Sequence, residues 1–257
     1  MDKKVVVTGC SGFIGFHLSN SLLETDIQVI GIDSLNSAYD VKLKQKRLEK
    51  LDKNNNFTFF NNNLSQEDSL NEIKKYDIST IYHMAARAGV RQSFLDPQSY
   101  IEDNTYATAN VANFCKEIEI PEIILASTSS IYGDSGENLM VEDKDEKIKP
   151  PSVYASTKLS GESLSKIILE DTNTNLIISR FFTVYGPYGR PDMSILRFIH
   201  WIINEEKVKV FGNGEQQRSF TYIKDVVDAL RRMSGLENSH TFNVGSNITV
   251  SLNEVIK

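Results

Sequence analysis

Short apolar runs alternate along the chain with longer stretches of helical period. Strand-like runs occupy Lys4–Thr8, Gln28–Ile32, Phe57–Phe60, Thr80–Tyr82, Glu122–Ser127 and Asn175–Arg180. Between the first two, Ile14, Leu18 and Leu22 recur every fourth residue and mark one face of a helix. Leu43, Leu48 and Leu51 mark a second helix and Leu70 with Ile73 a shorter one. Two long ones span Pro97–Ile118 and Ser152–Leu169, the latter behind a Pro150-Pro151 breaker. Such alternation predicts an α/β fold, a mostly parallel sheet covered on both faces. Beyond Arg180 the pattern turns irregular. Gly186, Pro187, Gly189 and Pro191 crowd a loop, followed by an apolar helix over Ile195–Ile203 and strands near Val208–Phe211 and Thr241–Val244. Residues 1–180 are therefore expected to form the sheet domain and 181–257 a smaller lobe over the strands' carboxyl ends. That lobe reads as incomplete, because Val250–Lys257 looks like a helix that has only opened.

Composition narrows the class. With 40% hydrophobic and 24% charged residues among 257, the chain has the make-up of a folded globular protein. A net charge of −6 gives no basic footprint for nucleic acid. Cys10 and Cys115 lie far apart and outside any metal-ligand spacing, so reduced thiols and no metal are expected. Met1-Asp2-Lys3-Lys4 runs at once into Val5-Val6-Val7, which leaves no room for a signal peptide. No apolar run approaches the roughly 18 residues of a membrane span. The expectation is a cytoplasmic protein without a membrane partner.

The first strand is followed by Gly9-Cys10-Ser11-Gly12-Phe13-Ile14-Gly15 and then the amphipathic helix. This G-x-x-G-x-x-G spacing is a variant of the dinucleotide fingerprint. The glycines permit a tight turn, close approach of the pyrophosphate and close helix–sheet packing, and the helix amino terminus offers unpaired N–H groups to the phosphates. Asp33 closes the second strand 18 residues after Gly15. A carboxylate there accepts ribose hydroxyls and repels a 2′-phosphate, which favours NAD over NADP.

Tyr154 and Lys158 stand one turn apart on a predicted helix. Upstream, the fifth strand runs into Thr128-Ser129-Ser130 at the carboxyl edge of the sheet, where ligands bind. A tyrosine is a weak base at neutral pH, but a nearby ammonium and the cationic nicotinamide ring stabilise its phenolate. Thr128 can then hold the substrate oxygen.

Taken together, these segments resemble the NAD-dependent epimerase/dehydratase family of extended short-chain dehydrogenases/reductases, whose fold is Rossmann-like and doubly wound. The resemblance rests on Thr8–Gly15, His83-Met84-Ala85-Ala86, Ser127–Gly133 and Tyr154–Lys158. Within the family, Ala88–Ser93, Arg180–Pro187, Gly189–Met193 and Arg218–Tyr222 are most similar to the nucleoside-diphosphate hexuronate 4-epimerases. The resemblance implies roles. Gly9, Gly12, Phe13, Ile14 and Gly15 hold the pyrophosphate of NAD, Asp33 and Asn36 the adenosine ribose, and Ala85, Ala86 and Arg87 line the cofactor. Asn63, before Leu64, replaces the aspartate that relatives usually set against the adenine. Tyr154 is the base, Lys158 binds the nicotinamide ribose and lowers the base's pKa, and Thr128 assists. Ser129, Ser130, Thr183 and Arg190 face the sugar; Phe211 and Arg218 serve the nucleotide diphosphate. Phe211 also suits a core position, and Arg218 a loose pair with Glu215. Arg91 reaches either a substrate carboxylate or a structural partner at Asp96 or Asp103.

Ser129-Ser130 stands where family dehydratases carry Asp-Glu and where decarboxylases carry a glutamate at the second position, so neither chemistry is equipped. Oxidation and re-reduction at carbon 4 of a nucleotide sugar remains, UDP-glucuronate to UDP-galacturonate in the closest likeness. A neutral UDP-sugar 4-epimerase, a UDP-glucuronate decarboxylase and a non-catalytic NAD-binding module or fragment stay open as alternatives. The resemblance also implies a homodimer built on the two long helices, with Ala109, Ala112, Ile167 and Ile168 available for contact.

Overall fold

The computed structural model describes residues 3–133, 140–142, 148–210 and 212–257. Its main sheet has seven parallel strands in the order β3-β2-β1-β4-β5-β6-β9. These are β1 Lys4–Thr8, β2 Val29–Ile32, β3 Phe57–Phe60, β4 Ile78–His83, β5 Glu122–Thr128, β6 Asn175–Phe181 and β9 His240–Val244. Strand side chains alternate between two cores, as the pleat requires. Val5, Val7, Ile124 and Ala126 pack with Leu18, Leu22 and Leu230 on one face, under α1 (Phe13–Leu23) and α8 (Ile223–Met233). Val6, Ile123, Leu125 and Ile178 pack with Val111, Phe114 and Leu169 on the other, under α5 (Ala107–Glu117) and α6 (Val153–Leu169). Helices thus cover both faces, and the strand order reverses direction between β1 and β4. That reversal opens a crevice at the strands' carboxyl ends.

A second sheet holds β7 (Thr183–Tyr185), β8 (Gln217–Tyr222) and β10 (Thr249–Ser251), with β8 parallel to β7 and antiparallel to β10. Two expectations change here. Residues 208–210 are not a strand, and the strand lies at β8 instead. The stretch past residue 180 does not form the small lobe alone, because β9 joins the main sheet beside β6 and α8 packs on α1. The expected helix Pro97–Ile118 is interrupted. After α4 (Pro97–Tyr100) the residues Ile101–Tyr106 form a π-helical segment before α5. The other helices are α2 (Val41–Leu51), α3 (Val90–Leu95), α7 (Ser194–Ile203) and the terminal α9 (Leu252–Ile256). The terminal helix carries a capping box between Ser251 and Glu254. No helix among the described residues is long and apolar enough to cross a membrane.

Candidate active site

A cleft of about 400 Å³ lies along the carboxyl ends of β1, β2, β4, β5 and β6. Its floor is the glycine loop. Gly9 has φ +66°, and a Cβ there would stand 2.7 Å from the Ala85 backbone; one on Gly15 would stand 2.1 Å from Gly9 O. No side chain fits at either position, so the loop presses against β4 and α1 begins flush with the cleft. Gly12 caps α1 without a side-chain bond, which leaves first-turn amides open to a ligand. The residues present fit a dinucleotide pyrophosphate.

At the adenosine end stand Asp33, Asn36, Asn63 and Leu64. Asp33 is already engaged. Its Oδ2 accepts from Ser11 N at 3.1 Å and its Oδ1 from Leu35 N at 2.8 Å, with Lys44 Nζ 4.0 Å away. Lys44 is buried, and its ammonium donates to Asn36 Oδ1 at 2.8 Å. Burial lowers its pKa, with Asp33 opposing that shift. Asn63 spends its side-chain oxygen on the Ser65 amide and hydroxyl at 3.1 and 3.0 Å. Ala85 and Ala86 line the cleft beyond β4. Arg87 turns its guanidinium to Asp103, 2.7 Å away, and its backbone is held by Asn104.

The reactive end is formed by Thr128, Ser129, Ser130, Tyr154 and Lys158. Ser152 caps α6 by accepting from Ala155 N at 3.1 Å, which sets Tyr154 and Lys158 on the first two turns. Burial raises the pKa of the Tyr154 phenol, while the Thr128 hydroxyl and the charge of Arg190 pull it down. Lys158 is buried, and burial pushes its pKa from 10.5 to about 8 against the pull of Glu162. Glu162 in turn pairs with Arg180 at 2.7 Å and accepts from Ser127. Lys158 stands one helical turn from Tyr154 in the same cleft lining, where a desolvated ammonium favours a phenolate.

Thr183 and Arg190 line the same cleft. Arg190 places Nε and Nη2 on Asp192 at 3.0 and 2.5 Å and donates to Ala88 O at 3.0 Å. Arg91, on α3, and Arg218, on β8, are exposed and lie outside the cleft lining. Arg218 donates to Gln217 O at 2.7 Å. Phe211 lies outside the described residues. From the sequence, Lys44 carries no role, Asp103 is only a structural partner for Arg91 and Asp192 only part of a motif, yet all three are in the lining. Charges on a strongly polar helix or loop read as solvated surface, and the only signal was Lys44 spaced three residues from another cation, Arg47. No metal-ligand cluster occurs among the described residues.

The model of the NAD dependent epimerase/dehydratase family matches residues 5–245. A UDP-glucuronate 4-epimerase of Thermodesulfobacterium geofontis is 44% identical over 223 residues, covering 86% of this chain and 68% of that one. The UDP-glucuronic acid 4-epimerase of Bacillus cereus, solved with UDP-glucuronic acid and NAD, superposes with a TM-score of 0.87 at 33% identity, covering 97% of this chain and 80% of that one. A UDP-N-acetylglucosamine 4-epimerase from Methanobrevibacter ruminantium M1, solved with UDP-N-acetylmuramic acid, superposes at 0.88 with 31% identity, covering 99% and 80%.

Proposed function

The chain belongs to the NAD-dependent epimerase/dehydratase family, and on that premise we propose that it interconverts UDP-glucuronate and UDP-galacturonate through a 4-keto sugar. NAD, when bound in the cleft, would supply a reversible hydride acceptor for carbon 4. This chain's residues do the rest. Tyr154, its pKa drawn down by the Thr128 hydroxyl, takes the proton from the 4-hydroxyl and returns it to the ketone oxygen after the sugar has turned. Lys158 holds the nicotinamide ribose and stabilises the phenolate. The observation that carries the reading is the meeting of Thr128, Tyr154 and Lys158 in one cleft with a glycine loop that admits no side chain.

A 4-keto uronic acid is a β-keto acid and loses carbon dioxide when its carboxyl bond aligns with the ketone π system. Holding that carboxylate out of alignment is the task assigned to Ser129, Ser130, Thr183 and Arg190. The incoming carboxylate exchanges with Asp192 for the Arg190 fork. The Arg190–Asp192 pair also supports a second reading, a neutral UDP-sugar epimerase in which Arg190 is already neutralised. Incubation with UDP-glucuronate and with UDP-glucose, each with NAD, and NMR of the products separates the two. UDP-galacturonate supports the first; equal turnover of both sugars overturns it.

The protein is further proposed to work as a homodimer. Phe94, Leu95, Ile101, Tyr106 and Ile167 expose 59%, 79%, 43%, 58% and 69% of their surface on the α3–α6 side. Of the expected contact residues, Ala112 is buried on the sheet and Ile168 packs against its core, which leaves Ile167 and half-buried Ala109 to face a second copy. Sedimentation showing only monomer at micromolar concentration contradicts this.

A further inference from the structure

The loop that carries Arg190 is held from the cofactor side of the molecule. His17 on α1 bonds Pro187 O at 2.8 Å. Arg47 on α2 places Nη2 on Tyr188 O at 2.6 Å and on Gly189 O at 3.3 Å. Three consecutive carbonyls are therefore taken by side chains of the first two helices. Tyr188 itself is left-handed, with φ +55°, and its ring lies 5.3 Å from Phe16 and 4.4 Å under Lys50. A non-glycine residue in that region needs its surroundings to hold it there.

The other amino group of Arg47 points into the glycine loop. Nη1 donates to Ser11 O at 2.8 Å and to the Tyr39 hydroxyl at 2.6 Å. Ser11 N meanwhile donates to Asp33. The Ser11 peptide is thus clamped between the Asp33 carboxylate and the Arg47 guanidinium. Arg47 is 0% exposed, and no carboxylate among the described residues stands within ion-pair distance of it. A buried cation bonded through its two amino groups by three carbonyl dipoles and a phenol, with its Nε left without a hydrogen-bond partner, is a costly way to fill a core. Its fork is what lets one residue bind two loops at once. A lysine ammonium, a compact point charge, reaches one of them.

We propose that Arg47 is a positioning residue for catalysis. It ties the pyrophosphate loop to the sugar-side loop, and so fixes where Arg190 stands relative to the cofactor and Tyr154. The proposal rests on the epimerase reading for its kinetic consequence, but the mechanical coupling does not. Binding of a ligand that orders the glycine loop must also order residues 188–190.

Hydrogen exchange tests the coupling without any turnover. NAD added to the parent protein slows exchange at the Tyr188, Gly189 and Arg190 amides. Arg47→Lys abolishes that slowing while NAD still binds by calorimetry. No slowing in the parent, or the same slowing in folded Arg47→Lys, overturns the proposal. With UDP-glucuronate, Arg47→Lys loses at least about tenfold in kcat/KM, since a displacement near 1 Å at a reacting centre can cost about a hundredfold, and releases more carbon dioxide. Lys46→Met, an exposed change on the same helix that leaves all the carbonyl bonds in place, keeps the parent's values. A lower melting temperature in Arg47→Lys with parental KM, kcat and product would reduce the residue to a structural role and contradict the proposal. If the parent shows no epimerase activity yet passes the exchange test, the functional reading fails and the strut survives.

Discussion

His83 ends β4 with its ring fully buried between two threonines. Thr108 spends its hydroxyl proton on Asn104 O at 2.5 Å, so its oxygen accepts from His83 Nε2 at 3.1 Å. Thr8 accepts from Ala85 N at 3.2 Å and donates to His83 Nδ1 at 2.8 Å. Only the neutral ring protonated on Nε2 satisfies all four groups. A second proton would set Nδ1–H against the Thr8 hydroxyl and loosen the Ala85 amide that lines the cofactor cleft. Burial, with the Lys158 charge as a second cause, accordingly pushes the His83 pKa from 6.5 to about 3. The sign follows from proton counts. Between these values the unfolded chain binds a proton that the folded one refuses, so stability is complete above about 6.5 and drains away as pH falls toward 3. Two pH units below the ordinary histidine value, near pH 4.5, the loss is about 2.7 kcal/mol, a large part of a typical folding free energy. Urea unfolding followed by circular dichroism at pH 7 and 4.5 measures it, with His83→Gln as the non-titrating reference. The variant starts less stable at pH 7 but loses about 2–3 kcal/mol less on acidification. Parallel losses in both proteins would refute the reasoning.

Calorimetry should show NAD preferred over NADP, with Asp33→Ala narrowing the gap at least about tenfold, or 1.4 kcal/mol, because buried Lys44 then faces a 2′-phosphate without its carboxylate neighbour. Lys158 predicts opposite trends in rate and stability. With its pKa near 8, phenolate support fades as pH rises through 8, whereas the cofactor-free protein gains up to about 3 kcal/mol between pH 8 and 10.5 that Lys158→Met does not. Paired pH profiles of kcat and of the unfolding midpoint check both. Arg190→Ala or Thr183→Ala should divert UDP-glucuronate to carbon dioxide and a 4-keto pentose, since a barrier change of about 1.4 kcal/mol moves the partition tenfold. Slow turnover to clean epimer would mean that these residues only bind the sugar.

The main sheet was legible because its strands are buried on both faces and read as unbroken apolar runs such as Val5–Val7 and Ile123–Ala126. The reactive set was legible because its spacing is local. Gly9 to Gly15 span one turn and a helix start, and Tyr154 to Lys158 one helical turn. The small sheet was not. Gln217–Tyr222 is polar and half-exposed, and pairing with Thr183–Tyr185 and Thr249–Ser251 is what makes it a strand. Residues 208–210 carry the right alternation but have no partner strand. The π segment at Ile101–Tyr106 is equally tertiary in origin, since Asn104 within it bonds Arg87 and Thr157. Arg47 and Lys44 were hidden by composition, because a helix as charged as Val41–Leu51 looks solvated until the loop at Tyr188 is laid across it.

Deuterium placed at carbon 4 of UDP-glucuronate tests the central claim most directly. If Tyr154 moves only the hydroxyl proton while the hydride leaves carbon 4 and returns to it within one binding event, UDP-galacturonate carries the label at carbon 4 undiminished, and Tyr154→Phe yields no labelled epimer although it binds NAD. Loss of the deuterium to solvent, or near-parental turnover by Tyr154→Phe, would contradict the account.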